Sequence, residues 1–270
     1  MTATTAQEHL AAGRVRDALA ALQAEVRARP ADAKLRVFLF QLLCVLGQWP
    51  RAATQLEVCG ELDAATLAMV NTYREALKCE LVREAVFAGK TTPMVFGEPQ
   101  AWVAWLVEAL QADARGDSAL AAKLRGEALE MAPASAGRAN DQPFDWIADA
   151  DSRLGPVLEA VVNGRYCWIP FGALAAVHLQ EPEDLRDFVW TPAQLEFPNG
   201  GDAVALIPTR YCSGGVLDGA DEAELLARRT EWDELAPDQY AGRGQRVFAT
   251  SAADIGLLEL RELVIAASST

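Results

Sequence analysis

The stretch RYCWIPF, Arg165 to Phe171, sets a thiol and a guanidinium among aromatic rings. The only thiol–imidazole pairing worth weighing is Cys167 with His178, since the chain has two histidines, His9 and His178. In such a pair the imidazole takes the thiol proton and the thiolate attacks. That chemistry needs a partly exposed thiol in an electropositive setting. Cys167 stands mid-strand among Tyr166, Trp168 and Ile169, where a buried thiol stays protonated. Strand alternation sends Tyr166, Trp168 and Pro170 to one face and Cys167, Ile169 and Phe171 to the other. Both faces are mainly apolar, so RYCWIPF reads as the opening central strand of a second domain. His178, in the alternating run AAVHLQ, faces water or a backbone partner. Catalysis by Cys167 and His178 is the weaker reading.

Metal-assisted hydrolysis would need clustered ligands. DWIADADSR offers Asp145, Asp149 and Asp151, without the Gly and closing Glu of a calcium loop. Helix N-capping and a solvated face are the expected roles of these acids. Asp221, Glu222 and Glu224 suit the first turn of a helix. Neither a P-loop nor a dinucleotide fingerprint is present, and GRGQR, Gly242 to Arg246, is expected to be a tight turn. No cofactor and no metal is implied. Five cysteines at wide spacings, without C-x-x-C, point to reduced, mostly buried thiols.

The net charge of −14 argues against nucleic acid and against anionic lipid surfaces. A protein partner with a basic or amphipathic segment fits better. No apolar run is long enough to span a bilayer, and the start of the chain lacks a basic segment followed by an apolar block. Neither a membrane span nor a secretory signal is therefore expected.

The elements that would position these groups fall into two halves. The segment 1–135 is rich in Ala, Leu, Glu and Arg and reads as helical. GRVRDA begins at Gly13 and GQWPRA at Gly47, which lie one tetratricopeptide repeat of about 34 residues apart. Each Gly would sit in the turn between antiparallel helices, and Ala18 and Ala52 where those helices approach closely. GDSALA repeats the frame with Gly116 and Ala121. Pro30 and Pro133 each fall half a repeat after their Gly, where a second helix should stop. Residues 63–90 have no such Gly and read as one long helix or a degenerate repeat. Pro93 and Pro99 then break helicity.

Residues 134–155 read as a connector, with FDWIADADSRLGPVLEAVVNG turning helical toward its end. Beyond Gly164 short apolar or alternating runs, punctuated by NGGD, SGG and GRG, read as strands. One acidic helix, DGADEAELLARRTEWDEL, interrupts them. The expected architecture is multidomain, α and α+β: tetratricopeptide-like helical repeats over 1–135, then an α+β domain over 136–270 with a mostly antiparallel, barrel-like sheet. Core packing is expected for Trp49 (in a turn), Trp102, Trp105, Trp146, Trp168, Trp190 and Trp232. In helical arrays the first helix of each pair lines the concave face. That frame puts Lys34, Val37, Gln41, Val103, Leu106 and Leu110 toward a peptide ligand.

Taken together, FLFQLLCVLGQWPRAATQLE, FDWIADADSRLGPVLEAVVNGRYCWIPF, DFVWTPAQLEF, IPTRY and GQR resemble, in order, the ImpE or TagJ accessory proteins of bacterial type VI secretion. The resemblance covers nearly the whole chain. It implies a cytoplasmic, non-enzymatic protein that binds the small sheath subunit TssB near its N-terminal helix. It further implies an influence on sheath assembly or on recycling by the ClpV ATPase. It brings no catalytic residue. The rival readings are a generic repeat scaffold with another partner, and an enzyme using Cys167 and His178. The partner expected on charge grounds is an amphipathic helix, apolar on one face with Lys or Arg at its edges.

Overall fold

A computed structural model describes residues 4–98, 100–212 and 219–267. Pro99 and the SGG segment at Ser213 lie outside the described residues. Helices α1 (Thr5–Ala11), α2 (Val15–Ala28), α3 (Ala33–Val45) and α4 (Trp49–Leu62) form two antiparallel pairs. Helix α5 (Leu67–Phe87) follows, then the short strand β1 (Met94–Val95) and a further pair, α6 (Ala101–Ala114) and α7 (Ser118–Met131). Gly13, Gly47 and Gly116 all turn between paired helices at positive φ, which a side chain would strain. Ala18, Ala52 and Ala121 are fully buried at the close approaches. Helices α3, α5 and α6 start at Ala33, Leu67 and Ala101, each one repeat length after the last, so α5 stands as the first helix of a middle unit.

The strand-rich half begins earlier than the sequence pattern predicts. Strands β2 (Gly137–Ala139), β3 (Gln142–Phe144), β4 (Ile147–Asp149) and β5 (Val157–Val162) occupy the stretch whose composition reads as a connector becoming helical. VLEAVV forms a strand because both faces of its sheet are covered, which suits β-branched residues. Then come β6 (Arg165–Pro170), β7 (Ala176–Leu179), β8 (Trp190–Glu196) and β9 (Asp202–Pro208). The acidic helix contracts to α8 (Glu222–Leu225), and much of the remaining stretch is a strand. There β10 (Thr230–Ala236) pairs with β11 (Gln239–Gly244) across Pro237 and Asp238. Strands β12 (Val247–Thr250), β13 (Ile255–Gly256) and β14 (Glu262–Ile265) complete the order. GRGQR is therefore no tight turn: it ends β11 and leads into β12.

Among the described residues the main sheet has nine strands in the order β1-β6-β5-β9-β8-β7-β14-β2-β3. It is open, with β1 and β3 at its edges, and does not close into a barrel. Its pairings there are antiparallel except that of β1 with β6. RYCWIPF is neither the first strand nor a central one, since β2–β5 precede it and only β1 lies outside it. Its alternation holds. Tyr166 and Trp168 join the core shared with the helices, and Cys167, Ile169 and Phe171 join the core on the opposite face.

Candidate protein-binding site

The side chains singled out as chemical do not meet. Cys167 is fully buried, its thiol against the Arg165 carbonyl at 3.3 Å, and burial pushes it up to about 11. His178 lies on β7, four strands away, roughly 19 Å at ordinary strand spacing. It sits half-exposed between the carboxylates of Glu196 (3.2 Å) and Glu262 (3.6 Å). Among the described residues no group of three or more His, Cys, Asp or Glu could hold a metal ion.

Two of the three acids of DWIADADSR are not solvated. Asp149 and Asp151 are buried, while Asp145 is exposed. Asp151 holds Arg153 at 2.5 Å and accepts from the Gly242 amide at 2.9 Å. Asp149 pairs with Arg246, itself fully buried. The same arginine pairs with Glu159 of β5. Glu159 also takes two hydrogen bonds from Arg83 of α5, at 2.7 and 2.9 Å, and one from the Tyr166 hydroxyl at 2.5 Å. Burial raises both carboxyls. For Glu159 the two guanidiniums outweigh it and bring the pKa to about 2, while for Asp149 burial prevails and lifts it to about 7. Sequence reasoning does not find this cluster. A signal is nonetheless present: one acid inside the apolar run VLEAVV requires a buried cation.

The helices pack against the chain's own second half. Trp190 packs on Trp49 and Tyr73, with ring centroids 5.8 and 5.6 Å away, and its indole N–H donates to Glu80 at 2.7 Å. Trp49 is thus the first residue of α4 rather than a turn residue, whereas Trp146 and Trp232 are partly exposed rather than core. Arg210 donates to the carbonyls of Val45 (2.7 Å) and Cys44 (3.3 Å), serving the end of α3. Glu222 accepts from the amides of Val15 and Arg16, both at 3.1 Å, and caps α2 from outside. Of the six residues placed toward a ligand, Gln41, Val103, Leu106 and Leu110 are buried. Val37 is half-buried and Lys34 exposed.

Open apolar surface lies elsewhere. Between α4 and α5 runs a groove of about 250 Å³ lined by Trp49, Ala53, Leu56, Leu77 and Leu81, with Glu57, Arg74 and Lys78 on its rim. Arg74 spans to Glu57 through two 2.8 Å hydrogen bonds. A second pocket, about 320 Å³, lies between α1, α3 and the turn at Leu185–Phe188, with Arg228 at its mouth.

Residues 141–264 match the family described as ImpE protein. The chain is 51% identical over 261 residues to the type VI secretion system accessory component TagJ of Pseudomonas aeruginosa, covering 97% of this chain and 91% of that protein. A crystal structure of protein VPA1032 from Vibrio parahaemolyticus superposes with a TM-score of 0.89 at 25% identity, over 97% of this chain and 98% of that one.

Proposed function

This chain belongs to the ImpE/TagJ family, and from that premise we propose that it is an accessory component of a bacterial type VI secretion system acting by binding rather than by catalysis. The observation that carries the reading is the 51% identity to TagJ over nearly the full length. The fold supports it. The thiol and imidazole are far apart, the strongly shifted acids are locked in ion pairs, and the open features are apolar grooves on helices. Helical arrays of this kind receive helices.

The partner in this reading is the small sheath subunit TssB, held through its amphipathic N-terminal helix in the cytoplasm. Capture of that helix would modulate sheath assembly or ClpV-dependent recycling. No helix among the described residues is long and apolar enough to cross a membrane. Titration of the intact chain with a synthetic TssB N-terminal helix, followed by calorimetry at low salt, tests the reading. Saturable binding at tens of micromolar or tighter supports it, and its absence at that range sinks it.

A further inference from the structure

The middle helical unit lacks its second helix. Units one frame either side turn at Gly47 and Gly116 and begin a second helix at Trp49 and Ser118. The equivalent positions in the middle unit, one repeat length after Gly47 and one before Gly116, are Leu81 and Val82. Without a residue that accepts positive φ, α5 does not turn there. It runs on to Phe87, which carries Arg83 into the sheet to meet Glu159. The chain that would have formed the second helix instead supplies β1 to the sheet edge.

The consequence is an uncovered apolar face. Leu81 and Val82 are 54% and 43% exposed. Leu81 lines the α4–α5 groove together with Ala53, Leu56 and Leu77. The lining residues on α5 run from Arg74 to Leu81, about 11 Å or two turns of helix. Arg74 and Lys78 stand on the α5 side, paired with Glu57 across the groove at 2.8 Å and with Glu75 of α5 at 2.7 Å. Both pairs are exposed, so an acid on a partner helix can take over either cation.

We propose that the α4–α5 groove is the seat of the partner helix, which completes the middle unit in trans. The inference rests on the helix-binding reading above and adds its location, depth and polarity. The partner helix sets apolar side chains at i, i+3 or i+4, and i+7 over Ala53, Leu56, Leu77 and Leu81, with an acid against Lys78.

The test uses the intact chain and the TssB N-terminal helix as probe. Leu81→Asp and Ala53→Glu place charge in the groove at sites that are exposed or half-exposed, and thermal unfolding confirms that each variant folds. Arg228→Glu alters the second pocket and serves as the control. The expected result is a loss of affinity of about tenfold or more in both groove variants, with the control within about twofold of the unaltered chain. Lys78→Glu should weaken binding by a few fold and less at high salt. If the unaltered chain binds and the groove variants bind equally well, the groove is the wrong seat while the helix-binding reading stands. An equal loss in Arg228→Glu and the groove variants also overturns the location. If the unaltered chain does not bind the helix at all, the reading and the seat fall together.

Discussion

Arg83 of α5 and Glu159 of β5 face each other through paired hydrogen bonds of 2.7 and 2.9 Å, both side chains almost wholly buried. One residue belongs to the helical half and the other to the sheet. Arg83 further donates to the Arg210 carbonyl at 2.7 Å, and Arg210 in turn donates to the end of α3. The helices and the sheet are therefore joined by directed, desolvated bonds as well as by a shared apolar core. An interface of this kind fixes orientation, because a small rotation leaves several charges unpaired.

The first prediction concerns that pair. Arg83→Met keeps the apolar stem and removes the charge. Glu159 is then left with Arg246 as its one guanidinium, and the Arg210 carbonyl loses this donor. Breaking a buried pair from one side costs about 3–5 kcal/mol. Urea denaturation of the variant should show a loss in that range with an unchanged slope. A loss below about 1 kcal/mol would show that the pair orients without stabilising.

The second is a pH dependence. Glu159 titrates below its ordinary value, at about 2 against 4.5, so its contribution is present above about 4.5 and is lost only as pH falls toward 2. Asp149 is the reverse. Its carboxyl is raised from 3.8 to about 7, so the folded state binds a proton that the unfolded chain releases. Stability must then fall as pH rises from about 4 to 7, and level off above. Asp149→Asn should flatten that slope. Denaturation midpoints at intervals across this window check it, and a slope retained in the variant would assign the proton elsewhere.

How far the sequence foretells this molecule depends on the kind of signal. Gly13, Gly47 and Gly116 announce their turns because only glycine adopts those backbone angles cheaply. The alternation of RYCWIPF gives its two faces correctly for the same local reason. The stretch ELLARRTEWDEL misleads, since its composition favours helix while pairing with β11 makes the second part of it a strand. VLEAVV misleads too, because burial on both faces hides the strand period. Nothing local reveals that Trp190 and Arg210 pack on the helices, since those contacts join residues far apart in the chain.

The third prediction follows from Glu222. Its carboxylate caps α2 across a long sequence separation, accepting from two amides that otherwise have no partner in the helix. Glu222→Ala should cost about 1 kcal/mol, the usual value of a lost N-cap. Hydrogen exchange at Val15 and Arg16 should rise while the sheet amides stay protected. Uniform exchange across the chain would mean that the cap does not act locally.

The fourth prediction returns to Cys167. Burial pushes its thiol up to about 11, and the residue lies fully buried in the apolar core that also holds Ile169 and Phe171. A thiol with so little thiolate at neutral pH is a poor nucleophile. Maleimide labelling of Cys167 should therefore track global unfolding, tested by adding denaturant stepwise and locating the label by mass spectrometry. Cys167→Ala removes one sulfur from a packed core and should cost about 1–2 kcal/mol while leaving the affinity for a partner helix unchanged. Rapid labelling of the folded chain, or a variant that stays folded yet loses partner binding, would give this thiol a working role. Its position explains why neither is expected: the strand carries Tyr166 and Trp168 into the core shared with the helices and Cys167 into the opposite core, where it is fully buried.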